Sequence, residues 1–204
     1  MLGYDKFFIF LAVLPMSKSL ISFLLLILLT ACSSNEKAGV VYHDRFDFSA
    51  VQSYSLYERN SKFTETQGLL DSRRNAIEIA IESSMATNKF NYTDVEKADI
   101  IVTYHLFNGR RGEYSKYNET IHFCVPCLRA TTWQTENKYQ SISPGNLILD
   151  IIDPQKKRSI WRSVYPLALE EKDNSAVTND KIKQAISLML AQYPKINAEI
   201  KQGN

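Results

Sequence analysis

The sequence predicts an α+β domain with a mostly antiparallel sheet covered on one face by two helices. Several segments alternate apolar with polar residues or are rich in β-branched side chains, whereas two segments carry an apolar stripe at helical spacing. Short polar loops join most of the strands, which favours antiparallel neighbours over helical crossovers. The chain has 204 residues, of which 45 % are hydrophobic and 23 % charged, and it is long enough for one such domain.

The first part of the domain is predicted to contain two strands and a helix. Residues 40–43 begin an extended stretch, and residues 53–57 alternate polar with apolar side chains, as a half-buried strand does. A helix is expected from Asp71 to about Asn88. Asp71 and Ser72 offer N-cap chemistry for it, and its apolar residues recur on one face.

The middle of the domain is predicted to continue the sheet. Residues 98–107 form a β-branched and aromatic run typical of a strand. Residues 108–119 are polar and are expected to form a turn, followed by a further short strand at residues 120–124. Residues 145–153 and 159–167 read as two strands of a hairpin, because Asp153-Pro154 between them is a turn signal.

The last helix has the clearest pattern. Thr178 or Asn179 is expected to cap it, and Pro194 marks its end. Its apolar residues form a single stripe, at Ile182, Ala185, Ile186, Met189, Leu190 and Tyr193. In the preceding strand, Trp161 is expected to pack against a helix and Arg162 to face water, because successive strand residues point to opposite faces.

The N-terminal residues predict export and lipid attachment. Residues 20–29 are an apolar run of ten residues preceded by Lys18. As a helix this run is about 15 Å long, too short for a hydrocarbon core of about 30 Å, but it has the size of a signal-peptide core. The motif Leu29-Thr30-Ala31-Cys32 matches the bacterial lipobox. The match implies cleavage before Cys32 and lipid attachment at Cys32. An ordinary secretory signal or a short core helix is the alternative.

The predicted organisation follows from that cleavage. Residues 1–31 are the lipoprotein signal peptide, with translation starting at Met1 or at Met16. Residues 32–39 are the lipidated cysteine and a short tether, residues 40–196 a single periplasmic domain, and residues 197–204 a C-terminal tail. The expected location is the periplasmic face of the outer membrane, because Ser33 replaces the Asp that usually retains lipoproteins at the inner membrane. The 24 basic and 22 acidic residues give no reason to expect nucleic-acid binding.

Several segments of the predicted domain together resemble one family. They are residues 47–57, 98–104 and 145–153, the motif Ile160-Trp161-Arg162, and the end of the last helix at Tyr193-Pro194. They resemble a group of bacterial envelope lipoproteins that share the domain of unknown function 4136. The resemblance implies a lipid-anchored α/β periplasmic domain with no established activity, cofactor or catalytic residues. The chain departs from the family's Gly-rich, aromatic middle stretch, because it has Cys124-Val125-Pro126-Cys127 there.

This cysteine pair is the one reactive-looking motif, and three interpretations remain open. Export to an oxidising compartment favours a structural disulfide between Cys124 and Cys127 in a tight turn. Thiol–disulfide exchange is the second. The N-terminus of a helix lowers the pKa of the thiol at such sites, but the residues after this motif lack the apolar stripe of a helix. A metal site that includes His122 is the third, but zinc usually takes four ligands.

We therefore expect a non-enzymatic envelope protein with a structural or interaction role. No catalytic residue, metal or cofactor is expected. Its partners would be the membrane, through Cys32, and an envelope protein that meets a sheet edge or the segment at residues 108–141. The alternative is a minor periplasmic thiol–disulfide or metal-binding protein that uses Cys124 and Cys127.

Overall fold

The computed structural model describes residues 38–58, 68–128, 130–131 and 142–194. The predicted signal peptide, Cys32 and the C-terminal tail lie outside these residues. The strands are β1 (Gly39–Tyr42), β2 (Ser53–Leu56), β3 (Asn91–Tyr92), β4 (Ile100–Leu106), β5 (Ala130–Thr131), β6 (Asn146–Asp153) and β7 (Arg158–Pro166). The α-helices are α1 (Asp71–Thr87), α2 (Glu113–Thr120) and α3 (Ser175–Leu190).

The strands form one sheet in the order β3-β2-β4-β6-β7-β1-β5. Strand β2 is parallel to both β3 and β4, whereas the remaining pairs are antiparallel. The sheet is therefore mixed, and the prediction of a mostly antiparallel sheet is wrong. The physical reason is that α1 connects β2 to the strands that follow it, and such a helical crossover lets β2 and β4 run in the same direction. The predicted hairpin is present as β6 and β7.

The two long helices, α1 and α3, pack against each other and against one face of the sheet, which we call the first face. Their apolar stripes join strand residues that point to this side, including Tyr104, Leu149 and Trp161. Trp161 is fully buried there, as expected. Helix α3 begins earlier than predicted, because the Asn174 carboxamide oxygen accepts a hydrogen bond from the Val177 amide at 3.0 Å and caps it.

The opposite, second face is also covered, and this differs from the prediction. Residues 113–120 form α2 rather than a polar turn, and no strand forms at residues 120–124. Tyr117 on α2 and Ile121 just after it are buried against Ile148 and Ile152 of β6. A few large apolar side chains thus suffice to dock a helix whose other residues are mostly polar. The described residues contain three α-helices instead of two, and none of these helices is both long and apolar enough to cross a membrane.

Candidate functional site

Buried polar side chains form a row across the second face. Thr103 of β4, Asp150 of β6 and Arg162 of β7 are neighbours in the strand register. All three are at most 1 % exposed. The expectation that Arg162 faces water is therefore wrong, because α2 and the segment after it cover this side of the sheet.

The Asp150 carboxylate is the centre of the row. Arg162 Nε lies 3.0 and 3.1 Å from its two oxygens. The Ser159 hydroxyl donates to the first oxygen at 2.7 Å, and the Tyr117 hydroxyl donates to the second at 2.6 Å. A buried carboxylate is tolerated only when its charge and its lone pairs are both satisfied, as they are here.

The Arg162 guanidinium is enclosed by aromatic side chains. Its Nη1 donates to the Tyr114 hydroxyl at 3.0 Å, and its central carbon lies 3.4 Å from the centroid of the Phe123 ring. Burial opposes the charged form, but Asp150 and the two tyrosines outweigh it and hold the pKa of Arg162 above its usual value. Burial and the nearby Asp150 charge raise the pKa of Tyr117, so that its hydroxyl stays protonated and remains a donor.

A second buried pair lies beside this row. His105 Nε2 is 3.0 Å from the Glu113 carboxylate, and the imidazole stacks on the Tyr117 ring with centroids 4.7 Å apart. Burial lowers the pKa of His105 to about 4, although Glu113 acts in the opposite direction. The other Glu113 oxygen accepts from the Arg110 amide at 3.1 Å. Glu113 thus fixes the turn that enters α2 while it also contacts the sheet.

These side chains form one buried polar cluster, which comprises Thr103, His105, Glu113, Tyr114, Tyr117, Asp150, Ser159 and Arg162. Asp150, Tyr117 and Arg162 are at most 1 % exposed, and Asp150 bonds to the other two, so this contact connects α2 to the sheet. The cluster is not among the residues that the sequence pattern predicts as a site. The hairpin register was the available signal, because it places Asp150 opposite Arg162.

The structure joins Cys124 and Cys127 by a disulfide, with their Cα atoms 5.3 Å apart. Residues 125–127 form one 3₁₀ turn, in which the Cys127 amide donates to the Cys124 carbonyl at 3.0 Å. An α-helix that begins at the first cysteine, as thiol–disulfide exchange sites use to stabilise a thiolate, is not formed in this turn.

His122 does not join the cysteines in a cluster of potential ligands. Its Nδ1 lies 2.9 Å from the Lys157 carbonyl oxygen. Within the described residues, no group of three or more His, Cys, Asp and Glu side chains could hold a metal ion. Asp150 and Asp153 are separate as well, because Asp153 accepts from the Gln155 and Lys156 amides in the hairpin turn. Cys32, the predicted lipidation site, lies outside the described residues.

The chain is similar in sequence to one protein family and in fold to a solved structure of that family. A family profile described as a domain of unknown function (DUF4136) matches residues 40–195. A crystal structure of a DUF4136 family protein from Bacteroides thetaiotaomicron matches with a TM-score of 0.53 and 13 % identity, over 80 % of this chain and 98 % of that one. At this identity the match shows the fold alone.

Two other solved structures match with lower TM-scores. A PDZ domain protein from Parabacteroides distasonis matches with a TM-score of 0.43 and 18 % identity, over 79 % of this chain and 38 % of that one. The PelC dodecamer from Paraburkholderia phytofirmans matches with a TM-score of 0.34 and 6 % identity, over 74 % of this chain and 95 % of that one. No curated protein matches the chain.

Proposed function

The chain belongs to the DUF4136 family, and from its N-terminal sequence we propose that it is a lipid-anchored protein of the bacterial envelope. The observation that carries the proposal is the motif Leu29-Thr30-Ala31-Cys32, which directly follows the apolar residues 20–29. Cleavage before Cys32 would free an amine and leave a thiol for acylation. Several acyl chains hold a protein stably at a membrane, whereas a single chain does not.

Within the envelope we propose a structural or interaction role at the periplasmic face of the outer membrane. In support of this role, the Asp150 carboxylate of the buried polar cluster is already bonded to Tyr117, Ser159 and Arg162 beneath α2. The sheet also ends in a strand that suits contact with another protein. Strand β3 pairs with β2 on one side, its two residues are exposed, and an added strand could bond to its outer edge.

The intact mass of the full chain, purified from membranes without reductant, tests the anchor. We expect an N terminus at Cys32 that carries acyl chains. The Cys32→Ser variant is expected to leave the membrane fraction, whereas Cys124→Ser, which leaves the lipobox unchanged, should remain there. A mass that begins at Met1 or Met16, or an unlipidated Cys32→Ser protein that stays in the membrane fraction, would contradict the proposal.

The Cys124–Cys127 pair is proposed to be a structural disulfide of this protein. Its small loop stabilises the fold by about 2 kcal/mol in the chain-entropy model. The same mass spectra should gain two hydrogens only after reduction. Free thiols in protein taken directly from the envelope would instead favour a reactive or metal-binding pair.

A further inference from the structure

A groove of about 380 Å³ opens on the second face beside the C-terminal end of α2. Its apolar part is formed by Ile101 of β4, Ile152 of β6, Ile121 after α2 and Val95 in the turn before β4. Ile121 and Ile152 also belong to the second-face core, so this surface is rigidly supported. The volume lies within the range of about 300–1,000 Å³ that is usual for small-molecule sites.

The rim of the groove is held in place by two residues with left-handed backbone. His122 has φ 47° and Lys157 has φ 52°, a region that is costly for side chains with a Cβ. Because the Lys157 carbonyl can only accept, His122 Nδ1 donates the 2.9 Å hydrogen bond between them. The Ser159 amide also donates to the Ile121 carbonyl at 2.9 Å. These two bonds fix the loop after α2 against the β6–β7 hairpin.

The charges around the groove are arranged unevenly. Lys157 lines it and makes no ion pair with any described residue, whereas its neighbour Lys156 lies 3.6 Å from Asp153 and outside the groove. Glu58 lines the groove too, but it follows β2, on the other side of β4 from the hairpin. An anionic group is therefore attracted at the Lys157 end of the groove.

We propose that this groove binds a short aliphatic carboxylate. The alkyl chain lies on Ile101, Ile121 and Ile152, and the carboxylate lies at the Lys157 ammonium. The apolar lining and the single unpaired cation on a fixed rim provide the two complementary parts of such a ligand. This inference rests on the groove alone and does not depend on lipid attachment at Cys32.

Hexanoate is the probe, and saturation-transfer NMR of the full chain in neutral phosphatidylcholine nanodiscs is the measurement. Saturable binding is expected, with hexanol, which lacks the charge, binding about fivefold more weakly. Lys157→Met should weaken hexanoate binding by about the same factor, because it removes only the charge. Lys156→Met is the matched control and should bind within about twofold of the unmodified protein, since its ammonium lies outside the groove.

Val95→Trp tests the apolar part of the site. Val95 is only partly buried and lies in a turn, so a larger side chain there fills the groove without disturbing the core. Hexanoate binding should fall by more than about tenfold. The proposal is overturned if hexanoate does not saturate the unmodified protein, if Lys157→Met and Lys156→Met bind alike, or if folded Val95→Trp protein binds unchanged.

Discussion

At the scale of single residues, the Asp150–Arg162 pair shows how a regular strand pattern can mislead. The alternation of Trp161 with Arg162 correctly places the two side chains on opposite faces. This alternation predicts that Arg162 is exposed to water only if the second face of the sheet is uncovered. Here α2 covers that face. The charge is retained because Asp150, Tyr114 and Phe123 surround it.

Removal of one member of this pair should be costly. Arg162→Met leaves the Asp150 carboxylate buried without its cation, and we expect the free energy of unfolding to fall by about 3–5 kcal/mol in urea denaturation. Lys97→Met is the control, because the Lys97–Asp94 pair is exposed and its loss should cost less than about 1 kcal/mol. The double variant Asp150→Asn/Arg162→Met should be more stable than Arg162→Met. A double variant that is less stable would show that the unpaired charge is not the cause.

His105 gives the fold a dependence on pH. The unfolded chain binds a proton at this residue near pH 6.5, whereas the buried imidazole has a pKa of about 4. Between these values the unfolded state holds more protons, so stability present above pH 6.5 is lost as the pH falls towards 4. The loss should be on the order of 3 kcal/mol. His105→Gln should remove most of this slope in unfolding free energy, and His122→Gln, at an exposed position, should retain it; equal slopes in both variants would assign the effect elsewhere.

At the scale of elements, sequence periodicity predicted what packs over a long stripe and missed what depends on a few contacts. The apolar stripe that begins at Ile182 was sufficient to predict α3, although the helix ends at Leu190 and not at Pro194. Helix α2 has mostly polar residues, and its docking depends on Tyr117, which meets Asp150 from a distant strand. Local patterns carry no information on such a contact, so the segment was predicted to be a turn.

The start of α3 was also predicted one turn late, and the correct cap is testable. Asn174→Ala removes the side-chain oxygen that accepts a hydrogen bond from the Val177 amide. The free energy of unfolding, measured by thermal denaturation, should fall by about 1 kcal/mol. Asn179→Ala is the matched control, because Asn179 is exposed inside the helix, where alanine is the better helix former. It should be neutral or slightly stabilising. The reverse order of the two effects would return the cap to Asn179.

At the scale of the whole molecule, the resemblance to the DUF4136 family is confirmed, and the α+β class is correct. The observed sheet is mixed rather than mostly antiparallel, because α1 forms a crossover that the loop lengths did not reveal. A third helix also covers the second face, which was predicted to be open, so the sheet has a core on each face. Strands β4, β6 and β7 carry apolar side chains on the first face and the buried polar cluster on the second, so the two cores share their backbone.

This shared backbone predicts that the two faces unfold together. Ile186→Ala, which leaves a cavity under α3 on the first face, should cost about 2–5 kcal/mol. If unfolding is cooperative, the opening free energy of the slowest-exchanging α2 amides, measured by native-state hydrogen exchange, must fall by the same amount. This should hold although α2 lies on the opposite face. Val177→Ala on the exposed side of α3 is the control and should leave α2 exchange unchanged. If Ile186→Ala leaves the exchange of the slow α2 amides unchanged, α2 opens independently of the rest of the fold. The bonds among Tyr117, Asp150 and Arg162 would then be too weak to couple the opening of α2 to the unfolding of the sheet.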